Sequence, residues 1–134
     1  MPDADGSTRS ERWLVCGGRR FTDGYGLSAY LTLLTATRGR PEVVIHGKAT
    51  GADQFAGDWA RSVGIPVIAD PVTLAEWREY GKAAGRIRNQ RMLDKHAPTL
   101  VVAFPGGPGT AHMTQIAEKA GLLVIRVNSR GGRL

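Results

Sequence analysis

The sequence predicts a single three-layer α/β domain, a mostly parallel five-stranded sheet with helices on both faces. Three observations predict it. Short, continuous apolar runs bounded by Gly or Pro recur along the chain, as strands buried on both faces do. Segments with helical apolar periodicity separate those runs. And 134 residues suffice for one domain that buries roughly two-thirds of its unfolded surface without a staple.

The runs fall at residues 13–16, 43–45, 65–69, 100–104 and 122–127. Between the first two, Leu27, Tyr30, Leu31 and Leu34 keep the i, i+3, i+4, i+7 spacing of a helix. Ala52, Phe55, Ala56, Trp59, Ala60 and Val63 keep it for three turns, with Gly64 placed to end the helix. Met113, Ile116, Ala117 and Ala120 repeat the pattern before Gly121, and a less regular helix is expected over about 82–95. Strands that alternate with helices need crossover connections, which makes the sheet parallel. The expected strand order is 3-2-1-4-5. Winding then reverses between strands 1 and 4, where open α/β sheets bind ligands at the carboxyl ends of their strands. Residues 1–12 read as a flexible lead and 129–134 as a flexible tail, leaving 13–128 as the folded domain.

Composition narrows the class further. A hydrophobic fraction of 42% with 22% charged residues is that of a soluble globular protein. The 18 glycines well exceed average usage but follow no period, which excludes collagen-like and repeat architectures. Cys16 is the sole cysteine, so an intrachain disulfide scaffold is excluded. No apolar run approaches 18 residues and the N-terminus lacks the apolar core of a signal peptide, so a cytoplasmic protein without membrane contact is expected. The net charge of +6, with a pI near 10.1, suits nucleic-acid phosphates or one anionic small ligand. Lys82, Arg86, Arg88 and Arg91 crowd ten residues without an acidic neighbour, though a solvated helix face uses such clusters equally often.

Glycine-rich loops carry the chemistry. After strand 4 comes Pro105-Gly106-Gly107-Pro108-Gly109-Thr110, leading into an amphipathic helix. Glycines there let an anion reach backbone N–H groups, Thr110 has the chemistry of an N-cap, and the helix N-terminus offers unpaired donors. A bare strand-to-helix turn is the alternative, but three glycines in five residues exceed its needs. The stretch is not G-x-G-x-x-G, because His112 takes the last position, nor is any stretch a G-x-x-x-x-G-K-[ST] loop.

The loop after strand 2 runs from Gly47 and Lys48 to Gly51, Ala52 and Asp53. Asp53 serves the helix dipole there, or accepts hydrogen bonds from a ribose or a pocket arginine. Strand 1 is followed at once by Gly17, Gly18 and Arg19, so the expected order brings three glycine-bearing loops to one rim. Arg88 offers bidentate bonding to a phosphate, Arg91 shares its helix face, and Asn89 has an amide that reads a base edge or sugar hydroxyl. Trp77 and Tyr80 precede this basic segment, where they cover a base or, more commonly, close the loop. His46, His96, His112 and Cys16 have no metal-ligand spacing, so neither a metal nor a resident cofactor is expected.

Together these residues resemble the YspA-type branch of the SLOG superfamily. The resemblance rests on four segments: Val15-Cys16-Gly17-Gly18-Arg19; His46-Gly47 with Gly51-Ala52-Asp53; Gly81 to Gly85 with Ile87-Arg88-Asn89; and Ala103 to Gly107 with Gly109-Thr110. It covers about residues 13–127. It implies a Rossmann-like fold and a nucleotide or nucleotide-derivative ligand, with phosphate on Thr110 and the neighbouring glycines and with Arg88 and Asn89 facing the same pocket. It also implies a homodimer or larger homo-oligomer. The related LOG phosphoribohydrolases carry P-G-G-x-G-T-x-x-E, and Met113 here replaces the glutamate that supports cleavage of the N-glycosidic bond.

Three functions follow as expectations. The first is a nucleotide-binding or sensing domain. The second is an N-glycosidase of nucleoside monophosphates, with Asp53 and Arg88 as candidate catalytic residues. The third is a DprA-like nucleic-acid binder, less favoured.

Overall fold

A computed structural model of the protein describes residues 10–128. The chain runs β1 (Arg12–Cys16), α1 (Gly24–Arg38), β2 (Val43–His46), α2 (Ala52–Ser62), β3 (Val67–Ala69), α3 (Leu74–Tyr80), a 3-10 turn (Gly81–Ala83), α4 (Ala84–His96), β4 (Leu100–Ala103), α5 (Pro108–Lys119) and β5 (Leu123–Arg126). All four strand pairings are parallel and the order is β3-β2-β1-β4-β5, the order expected from the sequence. The winding reverses between β1 and β4.

Alternation along the strands sets the layers. Trp13, Val15, Val44, Leu100 and Val102 point to one side and pack with Leu27, Leu31, Ala56 and Trp59 of α1 and α2. Leu14, Cys16, Ile45, Val101 and Ala103 point to the other and pack with Met92, Leu93, Met113 and Ala117 of α4 and α5. Apart from Arg12 and His46 at their ends, the central strands are therefore apolar, because both their faces are covered. At the sheet edge β5 leaves Leu123 exposed.

Several boundaries differ from the expectation. β1 starts at Arg12, and Glu11 accepts from the Trp13 indole and from Arg38, so both residues belong to the folded body rather than to a lead. The remainder of the expected lead and the expected tail at 129–134 lie outside the described residues, save Ser10. β3 begins at Val67 and not at Ile65. Pro66 has no N–H to give a ladder, and the Ile65 N–H bonds back to the Ala60 carbonyl at the end of α2. Gly64 and Gly121, at φ of 77° and 82°, stand just beyond α2 and α5 as expected.

Helix α3 was not anticipated. Leu74, Trp77 and Tyr80 fall three apart, but none of the seven residues is buried, so no core-facing stripe marks the helix. Its signal is local: Thr73 and Glu76 form a capping box, with Glu76 N–H donating to Thr73 Oγ1 at 3.1 Å and Thr73 N–H to Glu76 Oε1 at 2.9 Å. Among the described residues, no helix is long and apolar enough to cross a membrane.

Candidate functional site

The loops after β1, β2 and β4 interlock at the switch point. Gly18 N–H donates to the Pro105 carbonyl at 2.8 Å, Ala52 N–H to the Gly18 carbonyl at 3.2 Å, and Thr50 Oγ1 to the Arg19 carbonyl at 3.2 Å. Close backbone approach explains part of the glycine content. A Cβ on Gly17 would sit 2.5 Å from that of Ala52, and one on Gly106 would sit 2.7 Å from the Gly18 nitrogen. Gly51 takes φ of 77° directly beneath the Gly18 carbonyl. These glycines build the rim.

A second set does not. Among the described residues, Gly85, Gly107 and Gly109 would each meet nothing within 4 Å if given a Cβ, and none has a positive φ. Gly85 and Gly109 lie inside the first turns of α4 and α5, where glycine weakens a helix by roughly 0.5–1 kcal/mol relative to alanine. All three line one open cleft.

That cleft, of about 1050 Å³, takes in most of the residues singled out from the sequence: Gly17, Gly18, Arg19, Gly47, Asp53, Arg88, Asn89, Pro105, Gly106, Gly107, Gly109 and Thr110. Gly51 does not line it; it supports the loop from below. Arg20, Phe21, Trp77, Lys82, Arg86 and His112 also border the cleft, and Cys16, Met92 and Met113 give it an apolar floor. Arg19, Arg20, Lys82, Arg86 and Arg88 thus face a single carboxylate, Asp53, among the described lining residues. Arg12, Arg38, Arg61, Arg91 and Arg126 are each ion-paired to a carboxylate. Among the described residues, no arginine lining the cleft is.

Helix ends add to this field. α1 is capped by Asp23 and α3 by its capping box. α5 begins at Pro108 after Gly107 with no side-chain cap, so Thr110 is a first-turn residue and not the N-cap. Proline prefers the first helical position because it has no N–H to leave unpaired, and it moves the start two residues upstream of Thr110. The Gly109 and Thr110 N–H groups then sit at the open, positive end of the helix.

Asp53 is buried, and its Oδ2 accepts from Gly47 N–H at 3.1 Å and Ala49 N–H at 3.2 Å. Burial pushes its pKa up to about 6, against the pull of those N–H groups and of Arg88 and Arg19. Arg88 reaches across to donate to the Gly47 carbonyl at 2.6 Å and to the Asp70 carbonyl at 3.3 Å. Its guanidinium occupies the space a Cβ on Gly47 would need, and its partial burial lowers its pKa.

Asn89 is buried and fully engaged. Its amide donates to the Gly109 carbonyl at 3.2 Å and faces His112 Nδ1 at 3.1 Å, while its oxygen accepts from Arg88 Nε at 3.3 Å. It ties α4 to α5 and sets Arg88. An amide NH₂ only donates, so His112 Nδ1 accepts and its proton sits on Nε2. Arg91 departs from its expected role beside Arg88. It turns away from the cleft to Asp70, at 2.8 Å, and to Glu76, pinning α3 to α4. Lys48 is exposed and stands outside the lining. Cys16 is a buried free thiol packed in the core, and burial raises its pKa strongly. No group of three or more His, Cys, Asp or Glu among the described residues could hold a metal ion.

A parallel five-stranded sheet with glycine loops at its switch point defines a Rossmann-like α/β protein. The chain belongs to the YspA, cpYpsA-related SLOG family, whose model matches residues 12–80. The Gene 61 protein of Mycobacterium phage D29 is 40% identical to it over 93 residues, 66% of this chain and 73% of that protein. Among solved structures, the molybdenum cofactor binding protein from the phototrophic bacterium Rippkaea orientalis is similar in fold, with a TM-score of 0.60 at 22% identity. The match covers 92% of this chain and 79% of that one. The Moco carrier protein from Chlamydomonas reinhardtii follows, with a TM-score of 0.55 at 20% identity over 88% and 76% of the two chains. The family match ends before β4 and the residue 105–110 loop.

Proposed function

We propose that the protein binds a nucleotide or nucleotide derivative in the switch-point cleft, its phosphate on the uncapped start of α5. One observation carries this reading: five cationic side chains and an open helix N-terminus converge on glycines that no packing among the described residues requires. Anions favour such an end through both unpaired N–H groups and the helix dipole. The volume suits a ligand of nucleotide size or somewhat larger. Of two proteins of similar fold, one is named for binding the molybdenum cofactor and the other as a Moco carrier, which supports a small-molecule role for the same frame and puts that cofactor in the test panel.

Catalysis is the weaker reading. Met113 is buried in the apolar floor, where it handles no proton, and Asp53 spends Oδ2 on the Gly47–Ala49 backbone. The test is a thermal-shift panel of AMP, ADP-ribose, NAD and the molybdenum cofactor against adenosine. A phosphate-bearing ligand at 100 times its Kd adds about 2.7 kcal/mol to stability. Adenosine, lacking the anion, gives little. A panel in which adenosine matches AMP, or nothing shifts the transition, refutes the reading.

A further inference from the structure

The three tryptophans of the chain are in unlike settings. Trp13 is fully buried and its indole N–H donates to Glu11 Oε1 at 2.8 Å. Trp59 is 6% exposed and donates to Thr32 Oγ1 at 3.1 Å. Trp77 is 42% exposed, borders the cleft, and has neither a hydrogen-bond partner for its indole nor an aromatic neighbour among the described residues. It sits on α3, a helix with no buried residue of its own. Among the described residues, none of α3 joins either core cluster. It is held instead by polar ties: the Thr73–Glu76 capping box, Arg91 joining Glu76 to Asp70, and Asp70 receiving His96 at 2.9 Å. A large ring left half-exposed at the rim of a cationic cleft costs apolar exposure, and a planar ligand removes that cost.

We propose that Trp77 is the stacking platform for the planar heterocycle of the bound ligand. This rests on the nucleotide reading and adds to it a division of labour. The start of α5 and the arginines hold the anion, and Trp77 selects for ligands that carry a ring. Arg91 is a positioning residue, because its bonds to Glu76 and Asp70 set where α3 presents the indole.

The geometry makes the test clean. Trp13 and Trp59 are buried, so acrylamide-accessible tryptophan emission comes from Trp77. The probes are AMP and ribose 5-phosphate, which share the anion and differ in the ring, applied to wild type, Trp77→Phe and Trp77→Ala. The account expects AMP, but not ribose 5-phosphate, to change the accessible emission of wild type and shield it from acrylamide. Trp77→Ala should lower AMP affinity about tenfold, in the range of one base–aromatic stack, with ribose 5-phosphate affinity unchanged. Trp77→Phe should recover part of the loss.

AMP that raises the melting temperature yet leaves Trp77 emission and quenching unchanged overturns the inference and leaves the nucleotide reading standing. Equal losses for both ligands in Trp77→Ala overturn it too, since they mark a general disturbance of the cleft. Failure of both ligands to bind wild type refutes the anion site and the platform together.

Discussion

At the scale of single residues, two kinds of glycine line the same cleft and separate by substitution. Gly17→Ala forces a Cβ to 2.5 Å from Ala52, so the loops must part. Overpacking of that kind costs about 1–3 kcal/mol, and a lower denaturation midpoint at unchanged m-value should report it. Gly109→Ala meets no atom and removes a glycine from a helix, so the unliganded protein should gain up to about 1 kcal/mol. The same variant should bind AMP more weakly, because its Cβ enters the cleft. Stabilisation without loss of affinity would mean that no ligand approaches there.

Asp53 and His46 give a second residue-scale prediction. His46 is buried, its Nδ1 accepts from Lys48 N–H at 2.9 Å, and its Nε2 has no partner among the described residues. Burial, with the nearby Arg61, Lys48 and Arg88, lowers its pKa to about 4. The folded state therefore resists protonating His46, and stability from this source falls as pH drops from about 6.5 to 4. Asp53 has the opposite sign. Its folded pKa of about 6 lies above the unfolded value, so the folded state gains as pH drops from 6 to 4. Between pH 4 and 6 the two slopes oppose. Asp53→Asn keeps an acceptor for Gly47 and Ala49 but removes the second slope. Relative to wild type it should lose stability steadily as pH falls through that window, by a slope approaching one proton. Parallel stability curves would contradict the burial of Asp53 as an acid.

At the scale of elements, α3 is the least anchored helix. Thr73→Ala removes one half of the capping box, worth about 1 kcal/mol. Because α3 buries none of its residues, that loss should appear as faster amide exchange within 74–80 and hardly at all in the global transition. A matching drop in global stability would show α3 to be part of the cooperative core.

The same property explains why α3 is hard to read from the sequence. α1, α2 and α5 announce themselves by apolar spacing because each packs on the sheet, whereas α3 is fixed by Thr73, Glu76 and Arg91, one of them fifteen residues further on. The loops were more legible, since strand order alone brings residues 17, 47 and 106 to one rim. What spacing could not separate is Arg88 from Arg91, neighbours on one helix of which one turns to the cleft and the other to Asp70. That choice depends on where Asp70 follows β3, a contact across 21 residues. Thr110 misled for a simpler reason: a threonine three residues before an apolar stripe looks like a cap, yet Pro108 starts the helix earlier.

At the scale of the molecule, the net charge of +6 matters through its placement. Ion pairs neutralise Arg12, Arg38, Arg61, Arg91 and Arg126, while the cleft keeps its cations unpaired among the described residues. A concave site with a few cations predicts modest salt dependence. AMP affinity should fall only severalfold between 50 and 200 mM salt. A nucleic-acid backbone held by 6–10 phosphate contacts would instead lose roughly 10³-fold or more. Salt titrations with AMP and with an oligonucleotide distinguish the two uses of the same charge.

The central claim is that the phosphate end of the ligand sits on the start of α5. The most direct measurement follows the backbone amide resonances of ¹⁵N-labelled protein during an AMP titration. The account predicts saturable downfield proton shifts of Gly109 and Thr110, with smaller changes at Gly18 and Gly47 across the cleft. Saturation by AMP with the Gly109 and Thr110 amides unmoved would contradict it.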